Sequence, residues 1–317
     1  MSTDRLVIGV ASSALFDLTE SDNVFVSHGE EAYRKYQEEN IDNRLAPGTA
    51  FPFIRRLLSL NTLGHPNAPL VEVVVLSRND PTTGLRVMRS IKFHNLDSVA
   101  RSIFTQGQSP FKYMPAFDMS LFLSGNEHDV REATALGLPA GRVLDCPNGV
   151  DDTADQELRI AFDFDGVLAD DSSENIYKQG NLAKFHEHET KHATVPHPAG
   201  PLRRLLAGVN RIQQIEEHLR NEDKTYEPRV RVSLITARDT LHHAHERAIL
   251  SLKTWGVTVN DAFFLGGMEK GNVLEILNPH IVFDDQERHL TPTAGHVPSV
   301  HIPFGLLNSA TQQHSTA

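Results

Sequence analysis

Apolar residues in this chain gather in short continuous runs, and stretches with apolar positions three or four apart lie between them. Leu6–Val10, Val73–Leu76, Leu121–Leu123, Leu158–Phe162, Val232–Ile235 and Ile281–Phe283 read as buried strands. Pro52–Leu58 and Pro201–Leu206 have helical spacing, each with a proline suited to a first turn. Two further helices are expected to end near Asn95 and Gly256. Strands alternating with helices of this length predict parallel sheets with helices on both faces, so the fold class is α/β with three layers in each half.

The order of these elements repeats. Leu6–Leu15 is echoed by Leu158–Val167, Arg55-Arg56-Leu57-Leu58 by Arg203-Arg204-Leu205-Leu206, and the strand ending in Ser77 by the strand ending in Thr236. Arg86, Ser90 and Lys92 fall in register with Arg247, Ser251 and Lys253, and Phe104–Lys112 mirrors Phe264–Lys270. The offset between partners stays within 148 to 161 residues, which points to an internal duplication. The turn-rich, acidic stretch from Cys146 to Asp152 marks the expected junction. It separates residues 1–150 from residues 151–307, and the polar tail 308–317 is expected to be frayed.

Composition narrows the class. The 317 residues are 39% apolar and 22% charged with one cysteine, Cys146, which excludes a disulfide scaffold and fits a reducing compartment. Thirty basic against 41 acidic residues argue against a nucleic-acid partner. Met1–Arg5 runs straight into the first strand without a basic leader, and no apolar run approaches the ~20 residues of a membrane span. A cytoplasmic protein is expected, with no membrane partner and with a homo-oligomer left open.

Ligands of an open parallel sheet bind beyond the carboxyl ends of its strands. In the second half those ends carry Asp163 and Asp165 followed by Gly166, then Thr236, then Lys270 ahead of a helix, then Asp284 and Asp285. Carboxylates gathered at one edge repel unless a cation lies among them, and Mg²⁺ binds through one or two carboxylates plus phosphate oxygens. The set suits phosphoryl transfer. Asp163 would attack phosphorus, and Asp165 would protonate the leaving alkoxide and later activate water. Thr236, Lys270 and the backbone N–H groups of Phe164 to Gly166 would neutralise the phosphate, with Ala237 and Arg238 as further substrate contacts.

These residues resemble, in order, the four motifs of the haloacid dehalogenase-like phosphohydrolases. Ser13–Asp17, Leu76–Asn79, Pro279–Gln286, Gly295–Pro298 and Ile302–Gly305 resemble, more narrowly, the cytosolic 5′-nucleotidase I family across nearly the whole chain. The resemblance implies two Rossmann-like units in tandem, the first degenerate. It implies an AMP-preferring 5′-nucleotidase with Mg²⁺ on Asp163 and Asp284, and Asp165 and Asp285 are also counted as metal candidates. A phosphatase of another small phosphomonoester, such as a sugar phosphate, is the alternative; a nucleotide-sensing module is the other.

The first half has Ala11 and Ser13 in place of Asp163 and Asp165, and Leu123 and Ser124 in place of Asp284 and Asp285. It is read as catalytically silent. Ser77 and Lys112 keep the phosphate-binding positions, so this half is expected to bind a nucleoside di- or triphosphate effector, to wall the substrate site, or to serve as a structural partner. Residues 171–200 are longer than a simple crossover and are expected to form a small cap, with Asp171, Glu174, Asn175, Tyr177 and Lys178 as base-recognition candidates. Within it, His188 to His192 matches the zinc pattern H-E-x-x-H, but few apolar residues flank it, and a solvated helix face is expected.

Overall fold

The computed structural model describes residues 5–149, 151–173, 175–176, 182–240, 243–305 and 308. Its strands are β1 Leu6–Ala11, β2 Val71–Ser77, β3 Arg101–Phe104, β4 Leu121–Ser124, β5 Ala140–Val143, β6 Leu158–Phe162, β7 Val230–Thr236, β8 Asp261–Phe264, β9 Ile281–Asp284 and β10 Ser299–His301. The parallel sheets expected for the two halves join as one ten-stranded sheet, ordered β3-β2-β1-β4-β5-β10-β9-β6-β7-β8. The order of the first five strands recurs in the last five. Neighbours are parallel except at the seam, where β5 meets β10 antiparallel through Val143 with Val300 and Arg142 with His301.

That seam reverses the second half relative to the first. The carboxyl ends of β1, β2 and β4 therefore open at one edge of the sheet, and those of β6, β7 and β9 at the opposite edge.

Alternate residues of each strand point to opposite faces. From β1, Leu6, Ile8 and Val10 enter one hydrophobic cluster together with Leu158, Ile160 and Phe162 of β6 and Phe283 of β9. Leu57 and Leu58 of the helix Phe51–Ser59, and Leu205 and Leu206 of the helix Arg203–Glu222, fill the same cluster, so the repeated Arg-Arg-Leu-Leu segments cover one shared face. On the other face the halves have separate clusters, around Val7, Leu76 and Phe122 and around Ala161, Ile235 and Val282.

The repeated Arg/Ser register fastens a return loop in each half. Arg86 Nε donates to Asn43 O at 2.8 Å, and Leu45 N donates to Ser90 Oγ at 3.0 Å. In the second half Arg247 Nε donates to Val195 O at 2.9 Å, and His197 N donates to Ser251 Oγ at 2.9 Å. Among the described residues no helix is long and apolar enough to cross a membrane.

Candidate active site

β6 lies between β7 and β9, and Phe162 pairs with both Leu234 and Phe283. Asp163 and Asp284 therefore leave the sheet side by side, with Thr236 at the end of the strand on the other flank. Asp163 N donates to Phe283 O at 2.8 Å, and its side chain takes the Phe164 N–H at 2.6 Å. Gly166 turns the chain away at φ +73°. A side chain there would put its Cβ 2.6 Å from Asp285 Oδ2, so glycine lets the loop lie on that carboxylate.

Lys270, just ahead of the helix Gly271–Leu277, reaches both carboxylates. Its Nζ lies 2.8 Å from Asp163 Oδ2 and 2.6 Å from Asp284 Oδ2, with all three side chains buried. Asp284 also accepts from Gln286 N at 2.9 Å and faces His289 Nδ1 at 3.2 Å. Burial, reinforced by the charge of Asp284, pushes the Asp163 carboxyl up to about 8 against the pull of Lys270. Burial also acts to raise Asp284, but Lys270 and His289 outweigh it and hold that carboxyl at about 2. For Lys270, burial works against the charge, and the two aspartates more than offset it, keeping the ammonium protonated.

Ligand atoms of Asp163, Asp284 and His289 all lie within 4.8 Å of one another. Two buried carboxylates that share a single lysine form an oxygen-rich donor set compatible with a divalent cation. His289 escaped the sequence reading. Its only signal there was its place, five residues past Asp284, where the turn after β9 brings it back.

The remaining candidates divide. Thr236 is buried at the end of β7, where its Oγ1 takes the Arg238 N–H at 3.2 Å. Phe164, Gly166 and Ala237 sit in the loops beside it. Asp285 is buried beneath Gly166. Asp165 is gripped by Arg238, whose Nε donates to Oδ2 and whose Nη2 donates to Oδ1, both at 2.7 Å. Asp165 and Asp285 lie outside the group formed by Asp163, Asp284 and His289. Arg238 itself is 4% exposed. Its Nη1 donates to Glu189 Oε2 at 2.7 Å and its Nη2 to His197 Nε2 at 3.0 Å.

The helix Leu182–Lys191 corrects the solvated-face expectation. Phe185 and Glu189, one turn apart, are buried, and Glu189 also takes bonds from Arg247 Nη1 and Ser173 Oγ, both at 2.8 Å. Burial acts to raise the Glu189 carboxyl, but the hydrogen bonds and cations around it hold it well below its usual range. His197 is kept neutral, chiefly by burial. The rings of His188 and His192 lie tilted against each other with centroids 4.1 Å apart, and they join no three-ligand group among the described residues. The pattern that suggested zinc concealed a buried ion-pair anchor. Glu174, Tyr177, Lys178 and the tail 309–317 lie outside the described residues.

The first half opens a cavity of about 1660 Å³ at its own strand ends, reached by Ser12, Ser77, Asn79 and Ser124 and closed by Arg159 and His280. Ser12 Oγ and Ser77 Oγ lie 3.1 Å apart, with no carboxylate at the Ala11 or Leu123 positions. This cavity faces the sheet edge opposite Asp163, so it forms no wall of the edge that holds Asp163, Lys270 and Asp284. Lys112 is exposed on the turn Pro110–Phe117 and does not line it. The loop from Phe104 to Lys112 is two residues longer than that from Phe264 to Lys270, which carries this lysine past the strand ends.

The sequence model of the family described as 5′-nucleotidase matches residues 1–309. The chain is 31% identical over 293 residues to the human protein named Cytosolic 5′-nucleotidase 1B, covering 90% of this chain. It spans 47% of the length of that relative. The chain belongs to the 5′-nucleotidase family.

Proposed function

We propose that this member of the 5′-nucleotidase family hydrolyses a nucleoside 5′-monophosphate, AMP foremost, to nucleoside and phosphate. The observation that carries the reading is the meeting of Asp163, Asp284 and Lys270, from three distant segments, at one buried point of the sheet edge. Asp163 and Asp284 would hold Mg²⁺, with His289 beside them, and the bound ion would offset charge on the phosphate oxygens.

In this reading an Asp163 carboxylate oxygen attacks phosphorus, and the ester oxygen departs with a proton from Asp165. The aspartyl phosphate is then cleaved by water that Asp165 deprotonates, restoring both groups. Lys270 and the Thr236 hydroxyl bind the phosphoryl oxygens, and the backbone around Phe164 and Gly166 adds N–H donors.

The recurring strand order and the twin Arg/Ser fastenings support a tandem of two haloacid dehalogenase-like units, residues 1–150 and 151–307. Residues 171–200 are assigned to a cap over the second. The first unit, which lacks the carboxylates, would use its separate cavity for an effector such as a nucleoside di- or triphosphate.

Phosphate release from AMP with Mg²⁺, compared with glycerol phosphate and with Asp163→Asn, tests the assignment. Preference for AMP together with loss in the variant supports it. Equal turnover of the two substrates replaces it with a general small-phosphomonoester phosphatase, and release from neither leaves a nucleotide-binding module.

A further inference from the structure

The second half contains a buried polar chain that the proposed chemistry does not by itself require. Arg238 holds Asp165 through two parallel bonds, and its guanidinium lies between the rings of Phe164 and Phe185, 5.0 and 5.4 Å from their centroids. On its far side it is tied to Glu189 and His197. Glu189 is in turn held by Arg247 and Ser173.

The first half provides an internal control. Arg86 donates to Gln37 Oε1 at 3.1 Å, as Arg247 does to Glu189, and Asn79 N donates to Ser77 Oγ at 3.2 Å, as Arg238 N does to Thr236 Oγ1. The anchoring arginine is thus present in both halves and serves the fold. The half with Ser13 in place of Asp165 has Asn79 in place of Arg238 and neutral Gln37 in place of Glu189. Arginine, glutamate and the acid/base aspartate occur together or not at all.

We propose that Arg238 is the positioning residue for Asp165 and that Glu189 is its counter-anchor, so that the seating of the helix Leu182–Lys191 sets the aim of the acid/base. This rests on the nucleotidase reading above. A planar guanidinium fork fixes the plane of a carboxylate, which a point-charge ammonium does not. Each carboxyl oxygen has two lone-pair sites, so Asp165 can accept from Arg238 on one and carry the proton for the departing ester oxygen on another, and the charge facing Arg238 changes as that proton is gained and lost. Glu189 keeps the buried cation paired while it does so; a buried arginine without a second carboxylate would be left uncompensated.

The experiment compares kcat/KM for AMP and for p-nitrophenyl phosphate, with Mg²⁺, in wild type, Asp165→Asn, Arg238→Lys and Glu189→Gln. The nitrophenolate leaves without needing a proton, whereas the ribose alkoxide does not. Arg238→Lys is expected to lower kcat/KM for AMP roughly tenfold or more, and for the aryl ester by less than about threefold, with Asp165→Asn showing the same split more strongly. Glu189→Gln should follow in the same direction and decides the question if Arg238→Lys does not fold. Equal losses on both substrates, or an unchanged AMP value in a folded variant, overturn the proposal. Wild type releasing phosphate from neither substrate would instead retire the nucleotidase reading.

Discussion

Replacing Asp163 by asparagine should stabilise the metal-free protein while ending turnover. Asp163 is 5% exposed, faces a second buried carboxylate and has a pKa raised to about 8, against ~3.9 for a solvated aspartate. A carboxyl whose folded pKa is raised takes up a proton on folding, so its presence costs stability as pH rises from the unfolded value to the folded one. At pH 7 that cost is about 4 kcal/mol. Asparagine copies the protonated shape and leaves the Lys270–Asp284 pair, 2.6 Å apart, intact. At roughly 2.1 cal/mol/K of unfolding entropy per residue, the gain over 317 residues is a Tm about 6 °C higher. Calorimetry in EDTA from pH 4 to 8 would read it: no difference near pH 4, and a growing advantage for Asp163→Asn towards pH 8. Added Mg²⁺ should raise the Tm of wild type more than that of the variant. An equal or lower Tm for Asp163→Asn at pH 7 would refute the reasoning.

Gly166→Ala forces a side chain into φ +73° and onto Asp285, so a loss of about 1–3 kcal/mol in thermal unfolding and at least a tenfold fall in phosphate release are expected. His280 is kept neutral by burial, helped by Arg56 and Arg159, at a pKa of about 4. A histidine depressed in this way contributes stability above its unfolded value of ~6.5 that is lost as pH falls towards 4, about 3 kcal/mol in all, and His280→Gln should flatten that part of a urea-unfolding pH profile. Leu57→Ala, in the core shared by both halves, should cost about 2–5 kcal/mol in one cooperative transition. Two separated calorimetric peaks would show that the halves unfold independently despite their common sheet.

The elements and the polar residues at their ends were legible because their signals are local. Strand runs such as Leu158–Phe162 carry their burial in their own composition, and Asp163, Thr236, Lys270 and Asp284 each stand at a strand end or helix start that can be read within a few residues. The Arg-Arg-Leu-Leu and Arg/Ser repeats were equally legible, and the structure gives both a packing role. Glu189 was not. Its neighbours His188 and His192 suggested a metal or a wet helix face, and only the arrival of Arg238 and Arg247 from distant segments makes a buried glutamate tolerable there. Arg238 showed the reverse: a charged residue beside Thr236 suggests a phosphate contact until its partners are known.

By itself the amino-acid order determined the alternating α/β pattern, the recurring order of strands and the acidic, hydroxyl and amine groups at their ends, because periodicity and strand-end chemistry act over short range. Tertiary structure alone decided three things: that the halves share one sheet through an antiparallel seam, that their strand-end sites therefore face opposite edges, and that a buried ion network holds Asp165. Strand pairing between distant segments and the mutual neutralisation of buried charges depend on which surfaces meet, and no local spacing encodes that.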